Sequence, residues 1–276
     1  MRQRPKNTMN DLDSKEWVKS TKSWFIINPR PRSDVQLEHP AKFPEELVKH
    51  FLRFFTKEGS WVLDPFAGIG STLIACKESS RNSVGIELNP EFVDIGRRFL
   101  STYPGKGEHH FLDGNSMRIR ELLENEFKHE VPTFDFLITS PPYWDMLRKS
   151  RGGNDSIQKD RKERGLRQFY SNLEYDLGNI DNYYRYIETL SSIICSLKPF
   201  LRDGAYLSII VQNMRDTNGE MRPIAWDVAK QLSNQYQLQQ EMIWCQDNKK
   251  LGCWGYPTTY VSNVHHHYCL IFRNSV

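Results

Sequence analysis

The chain has 276 residues, 38% hydrophobic and 26% charged, with a formal net charge of +3. That balance suits a globular domain and excludes a low-complexity or strongly polyionic chain. No run of about 18 apolar residues is present, so no helix is expected to span a membrane. The polar Met1–Lys22 stretch lacks the apolar core of a secretory signal. The five cysteines, Cys76, Cys195, Cys245, Cys253 and Cys269, are odd in number and unpaired in spacing, which fits a reducing cytoplasm rather than a disulfide framework. Cys245, Cys253, His265, His266 and His267 match no zinc spacing. Buried thiols and a polar strand start are the reading there, with no metal expected.

In chain order, residues 1–23 read as a flexible arm and 24–276 as one domain. Trp24-Phe25-Ile26-Ile27 is a short apolar stretch, and Asn28-Pro29-Arg30-Pro31-Arg32 must be extended or turned because proline blocks a helix. Pro44 suits a first helical residue. Val48, Phe51, Leu52 and Phe55 follow at helical spacing, and Gly59 stops the helix. Strand and helix signals then alternate. Strands are expected at 61–63, 83–87, 110–112, 134–139 and 205–211, with helices at 71–78, 90–100, 181–197 and 224–233. Strands at 238–244 and 267–272 close the chain. This alternation predicts an α/β fold with a mostly parallel sheet of seven strands wrapped by helices. The last two strands lack a helix between them, so an antiparallel strand is expected at the edge. The polar stretch 148–180 is longer than an ordinary loop, and such loops usually carry function or disorder.

Three strand ends carry candidate ligand groups. The segment from Val62-Leu63-Asp64-Pro65-Phe66 through Gly68, Gly70, Ser71 and Thr72 is a buried strand ending in a carboxylate, then a glycine turn into a helix. Glycines allow a sharp turn and close backbone approach, and such sheets bind ligands at the carboxyl ends of their strands. Leu73 stands where a dinucleotide fingerprint wants its third glycine, and no Gly-Lys-Ser/Thr follows, so neither a dehydrogenase nor a phosphate loop fits. The second strand ends at Glu87-Leu88, 17 residues after Gly70, where a carboxylate can accept from both hydroxyls of a ribose. The third ends at Asp113-Gly114-Asn115, polar groups able to recognise an adenine.

A fourth strand runs into Ser140-Pro141-Pro142-Tyr143-Trp144. Two prolines fix the backbone and remove two donors, leaving carbonyls free to accept, and Tyr143 and Trp144 offer flat faces. The exocyclic amino group of a nucleobase is a poor nucleophile because its lone pair is delocalised into the ring. Acceptors at Ser140 and the Pro141 carbonyl can hold both amino hydrogens and aim the lone pair at a methyl donor. Alignment of this kind supplies up to about 7–11 kcal/mol of a barrier, and an aromatic face adds roughly 1–3 kcal/mol per stacked base. The base must leave its helix to reach such a turn.

With these segments the sequence resembles the amino-methylating DNA methyltransferases, the N4-cytosine and N6-adenine enzymes of restriction–modification systems. Asp64 to Thr72 looks like their cofactor motif and Ser140-Pro141-Pro142-Tyr143 like their catalytic motif. His39-Pro40-Ala41-Lys42-Phe43-Pro44 resembles the segment that helps hold the methionine end of the cofactor. Ile243-Trp244 and His267 to Arg273 resemble the closing strands. Serine at the first catalytic position is similar to the N4-cytosine branch.

The resemblance implies a Rossmann-like fold and S-adenosyl-L-methionine as cofactor. It implies Lys42, Pro44, Asp64, Phe66, Gly68, Gly70, Ser71, Thr72, Glu87, Leu88, Asp113 and Asn115 as cofactor contacts, and Ser140, Pro141, Pro142 and Tyr143 as the catalytic group. It also implies double-stranded DNA as substrate and a cognate restriction endonuclease as partner. The rivals are N6-adenine methylation, an RNA base methyltransferase and a silent nucleic-acid-binding subunit. Only residues 148–180 and the loop 246–263 are left as DNA-recognition elements. The first carries Arg148, Lys149, Arg151, Arg161, Lys162 and Arg164, and the second Trp254. Clustered cations of this kind bind phosphates by counterion release.

Overall fold

The computed structural model describes residues 7–30, 42–144, 173, 175–216, 218–249, 251–254, 256–258 and 260–275. The basic segment from Arg148 to Arg167, and His39, Pro40 and Ala41, lie outside them.

One eight-stranded sheet organises the chain. Its strands are β1 (Trp24–Ile26), β2 (Trp61–Asp64), β3 (Asn82–Glu87), β4 (His109–Asp113), β5 (Phe134–Thr139), β6 (Leu201–Val211), β9 (Gln237–Cys245) and β12 (His266–Arg273), in the order β1-β9-β12-β6-β5-β2-β3-β4. From β4 to β6 every pairing is parallel. Two short ribbons lie outside the sheet, β7 (Met214–Arg215) with β8 (Met221–Arg222), and β10 (Cys253–Trp254) with β11 (Val261–Ser262).

The seven expected strands are present, with two differences. Trp24-Phe25-Ile26 is an eighth strand, parallel to β9. The reversed strand is not at the edge: β12 is antiparallel to both β6 and β9 and lies between them. A strand returning directly after β9 fits there because a hairpin-type return needs no crossover helix.

The helices are α1 (Ser14–Ser20), α2 (Glu45–Phe55), α3 (Ser71–Glu78), α4 (Pro90–Thr102), α5 (Ile119–Glu126), α6 (Tyr183–Ser196) and α7 (Ile224–Leu232). Side chains alternate across a strand, and the two faces of the sheet meet different helices. Leu63, Leu137 and Leu207 pack with Leu190 and Ile194 of α6 and Val228 of α7. Val62, Phe136 and Ile210 pack with Val48, Phe51 and Phe55 of α2 and with Ala75 of α3. Burial on both faces explains the near-continuous apolar runs read from these strands.

Part of the expected N-terminal arm is ordered structure. Asp13 and Glu16 form a reciprocal capping box at the start of α1, and the Asn10 side chain donates to the Phe54 carbonyl at 2.6 Å. Trp17 packs on Phe54 with ring centroids 5.1 Å apart. Pro44 is the cap immediately before α2 rather than its first residue.

Candidate active site

The parallel register sets the ends of β2, β3, β4 and β5 side by side, so Asp64, Glu87, Asp113 and Thr139 share one edge of the sheet. Asp64 is fully buried. It accepts from the Thr72 hydroxyl at 2.5 Å, the Thr139 hydroxyl at 2.6 Å and the Phe66 amide at 3.0 Å. Burial pushes its carboxyl up to about 6, against the pull of those three donors. Asp64 is therefore the hub that ties the glycine turn, α3 and β5 together.

Gly68 and Gly70 both adopt positive φ, 55° and 87°, which a residue with a Cβ takes only at a cost. The Gly68 amide donates to Glu87 at 3.0 Å and the Asn89 amide to the other Glu87 oxygen at 2.9 Å. Each carboxylate oxygen has one backbone donor and room for a second. Burial pushes the Glu87 carboxyl up to about 8, and the nearby charges of Asp176 and Asp64 push the same way. Phe66 and Leu88 are partly exposed at this edge.

The remaining expected cofactor residues divide. Ser71 donates to the Phe43 carbonyl at 2.9 Å, holding the segment before α2 against the glycine turn. Lys42 is paired with Glu45 at 2.6 Å, and Pro44 is buried. Asp113 is exposed at the end of β4, and the Asn115 side chain caps the turn that follows by accepting from the Met117 amide at 2.9 Å. Ser116, which the strand-end pattern does not single out, is buried and donates its hydroxyl to the Pro65 carbonyl.

Ser140-Pro141-Pro142-Tyr143 directly follows Thr139, one residue from the bond to Asp64. The Pro142 carbonyl is not free as expected: the Tyr186 hydroxyl of α6 donates to it at 2.9 Å. Among the described residues no donor reaches the Pro141 carbonyl, and Ser140 is partly exposed beside it. Tyr143 and Trp144 are both 6% exposed, so neither ring is an open platform. Trp144 donates its indole N–H to the Asp181 carbonyl at 3.1 Å. The Tyr143 hydroxyl lies 3.4 Å from the Ser140 hydroxyl and 3.1 Å from His267 Nδ1. Burial pushes the Tyr143 phenol up to about 12.

The loop 246–263 rises at the same edge, because β9 ends and β12 begins there. Its β10–β11 ribbon contains Trp254, and Leu251, Tyr256 and Tyr260, in the loop beside the ribbon, are exposed at 89%, 87% and 80%. Arg148, Lys149, Arg151, Arg161, Lys162 and Arg164 fall outside the described residues. Among the described residues no helix is long and apolar enough to cross a membrane.

The sheet is mostly parallel, with acidic strand ends, a glycine turn between two of them and one reversed strand inserted beside β6, the Rossmann-like α/β arrangement expected from the sequence. Residues 1–98 match the model of a family described as DNA methylase. It is 34% identical over 96 residues to the type II methyltransferase M.BglI of Bacillus subtilis, covering 34% of this chain and 26% of that protein. It is 51% identical over 69 residues to the type II methyltransferase M.Cfr9I of Citrobacter freundii, covering 25% of this chain and 22% of that one. The matches thus span about a quarter of each relative's length. A solved methyltransferase from Pyrococcus furiosus aligns over 84% of this chain and 83% of its own at 14% identity, with a TM-score of 0.47.

The donor set fits the S-adenosyl-L-methionine that the sequence resemblance implies. Ionised Glu87, with one backbone donor on each oxygen, would keep an acceptor site on each for the two hydroxyls of a ribose.

Proposed function

We propose that the chain transfers a methyl group from S-adenosylmethionine to the exocyclic N4 amino group of a cytosine extruded from double-stranded DNA. The observation that carries this reading is the Thr139–Asp64 bond. It fixes the Ser140-Pro141 acceptors one residue from the loop that would hold the methyl donor. When bound, the cofactor supplies an electrophilic methyl on sulfur.

The chain's own part is orientation. Ser140 Oγ and the Pro141 carbonyl accept the two amino hydrogens, which draws the nitrogen lone pair out of conjugation and fixes its direction. Positioning of this kind suffices where the electrophile is already strong. The Tyr186 bond to Pro142 and the Trp144 bond to Asp181 stiffen the turn so that these acceptors need not reorganise. Lys42, Pro44 and Ser71 shape the wall of the cofactor crevice through α2, while Leu88, Asp113 and Asn115 lie toward the adenosine end. Tyr143 contributes a buried edge rather than an open stacking face.

The DNA is held by Arg148, Lys149, Arg151, Arg161, Lys162 and Arg164 and by the aromatic ribbon around Trp254. The domain acts in the cytoplasm beside a cognate restriction endonuclease. Residues 24–276 form the catalytic unit, with 148–180 and 246–263 as its recognition elements.

The test is methyl transfer from labelled cofactor to unmodified plasmid DNA, followed by digestion and nucleoside mass spectrometry. N4-methylcytosine supports the reading in full, and N6-methyladenine keeps the class and overturns the base. Cofactor binding without transfer to DNA overturns the DNA reading and directs the assay to RNA.

A further inference from the structure

His267 is the second residue of β12, opposite Trp244 of β9 in the antiparallel register. Its ring stacks on the Trp244 indole with centroids 4.5 Å apart and 23° between planes. That indole is itself fixed by donating to the Ile27 carbonyl at 2.8 Å. His267 is buried, with 9% of the residue exposed, and its Nδ1 is 3.1 Å from the Tyr143 hydroxyl. Burial holds its conjugate acid down at about 3, with Lys249 and His266 adding to the effect, so the ring is neutral near pH 7. A neutral imidazole has one donor and one acceptor nitrogen.

We propose that His267 is a positioning residue, whose Nδ1 accepts the Tyr143 hydroxyl proton and so fixes the polarity of a chain from Ser140 through Tyr143 to β12. The proposal rests on the methyl-transfer reading above. With Tyr143 donating to His267, the phenol oxygen is left to accept from the Ser140 hydroxyl. Their separation of 3.4 Å is long for such a bond, as contacts at reaction centres often are before substrate binds. Ser140 then spends its one proton on Tyr143 and presents only lone pairs outward, which is what an amino N–H requires. With the opposite polarity the Ser140 hydroxyl would point a proton at an N–H donor and repel it. Trp244 is needed because an imidazole free to rotate would set neither the tautomer nor the direction.

The test uses His267→Asn, His267→Gln and His267→Phe, Tyr143→Phe, and the double variant of the last two. Asparagine can place its amide oxygen where Nδ1 lies, whereas glutamine reaches the Nε2 position. Loss of orientation at a reaction centre costs up to about 100-fold. We expect His267→Phe and His267→Gln to lose roughly 10- to 100-fold in kcat, with KM for DNA and the cofactor Kd within about twofold. His267→Asn should keep kcat within about threefold of the parent, and the double variant should be no worse than either single one, because the two side chains act as one unit. Equal losses in the Asn and Phe variants, multiplying losses in the double variant, or a cofactor affinity that falls in step with kcat would each overturn the proposal. If the unmodified chain transfers no methyl group, the function reading fails separately. The imidazole nitrogen NMR spectrum then decides the His267 assignment: an unprotonated Nδ1 perturbed by Tyr143→Phe supports it, and a protonated Nδ1 refutes it.

Discussion

The Glu87 carboxyl is pushed up to about 8 by burial, so a cofactor ribose placed on it, as proposed, would make binding a titration. A protonated carboxyl offers a donor where the two ribose hydroxyls need acceptors, so only the ionised form binds well. The raised value means that the free protein keeps its proton at neutral pH and that affinity grows as pH rises through 8. With a pKa near 8, the ionised fraction is about 1 in 100 at pH 6, 1 in 11 at pH 7 and 1 in 2 at pH 8. Apparent affinity scales with that fraction, so Kd should fall about 50-fold from pH 6 to pH 8 and little beyond pH 9. At pH 7 each binding event should release about 0.9 proton.

The probe should be 5′-methylthioadenosine, which keeps the ribose but lacks the amino-acid end, whose own amino group titrates in this range. Calorimetry in two buffers of different ionisation enthalpy counts the protons directly. Glu87→Gln should remove the pH dependence and weaken binding at pH 9 by about tenfold or more, since hydrogen bonds to a charged group contribute about 1.5–3 kcal/mol each. A Kd that is flat from pH 6 to pH 9, with no proton release, would refute the placement of the ribose on Glu87.

Thr139→Val keeps the side-chain shape but removes the hydroxyl that Asp64 accepts from. It should destabilise the fold by about 1–3 kcal/mol and weaken cofactor binding, read by denaturant melts and calorimetry; unchanged values in both would remove Asp64 as the hub. Gly96→Ala would place a Cβ 2.0 Å from a ring carbon of Phe111, which also backs Gly70. Overpacking of this kind costs about 1–3 kcal/mol, visible as a lower denaturant midpoint. Neutralising Arg161, Lys162 and Arg164 together should reduce the slope of log affinity against log salt by up to about 2.7, and an unchanged slope in a filter-binding titration would free that segment from any phosphate contact.

The parts of the site that were legible in the sequence are those set by local chain chemistry. An apolar run ending in Asp64 and then two glycines, another ending in Glu87, and a third ending in a double proline each declare a strand end with a functional turn. Their alignment on one edge follows from parallel pairing. What stayed hidden depends on contacts far apart in the chain. β1 is three residues long at a sheet edge, and its partner Ile243 lies beyond any local pattern. His267 reads from sequence as a polar strand start, since nothing local connects it to Tyr143. The free carbonyl expected at Pro142 was lost to Tyr186, and the open ring expected at Tyr143 was lost to burial against β12. Ser116 carries no motif, yet it pins the Pro65 turn.

The reversed strand also has a consequence for how the chain assembles. β12 follows β9 in sequence but lies between β6 and β9, so the hydrogen-bonded ladder reaches β9 and β1 through it, while Met242 and Trp244 of β9 also pack in one cluster with Phe51 and Phe136. Until residues 266–273 leave the ribosome, β6 has an unpaired, largely apolar edge, the kind of surface that recruits other chains. Closing the sheet is thus a non-local event, and the same strand that completes it brings His267 to Tyr143. A chain shortened by this one strand would lose the hydrogen-bonded join between the two parts of the sheet, leaving them held by packing on α2, along with one end of the Ser140–Tyr143–His267 connection.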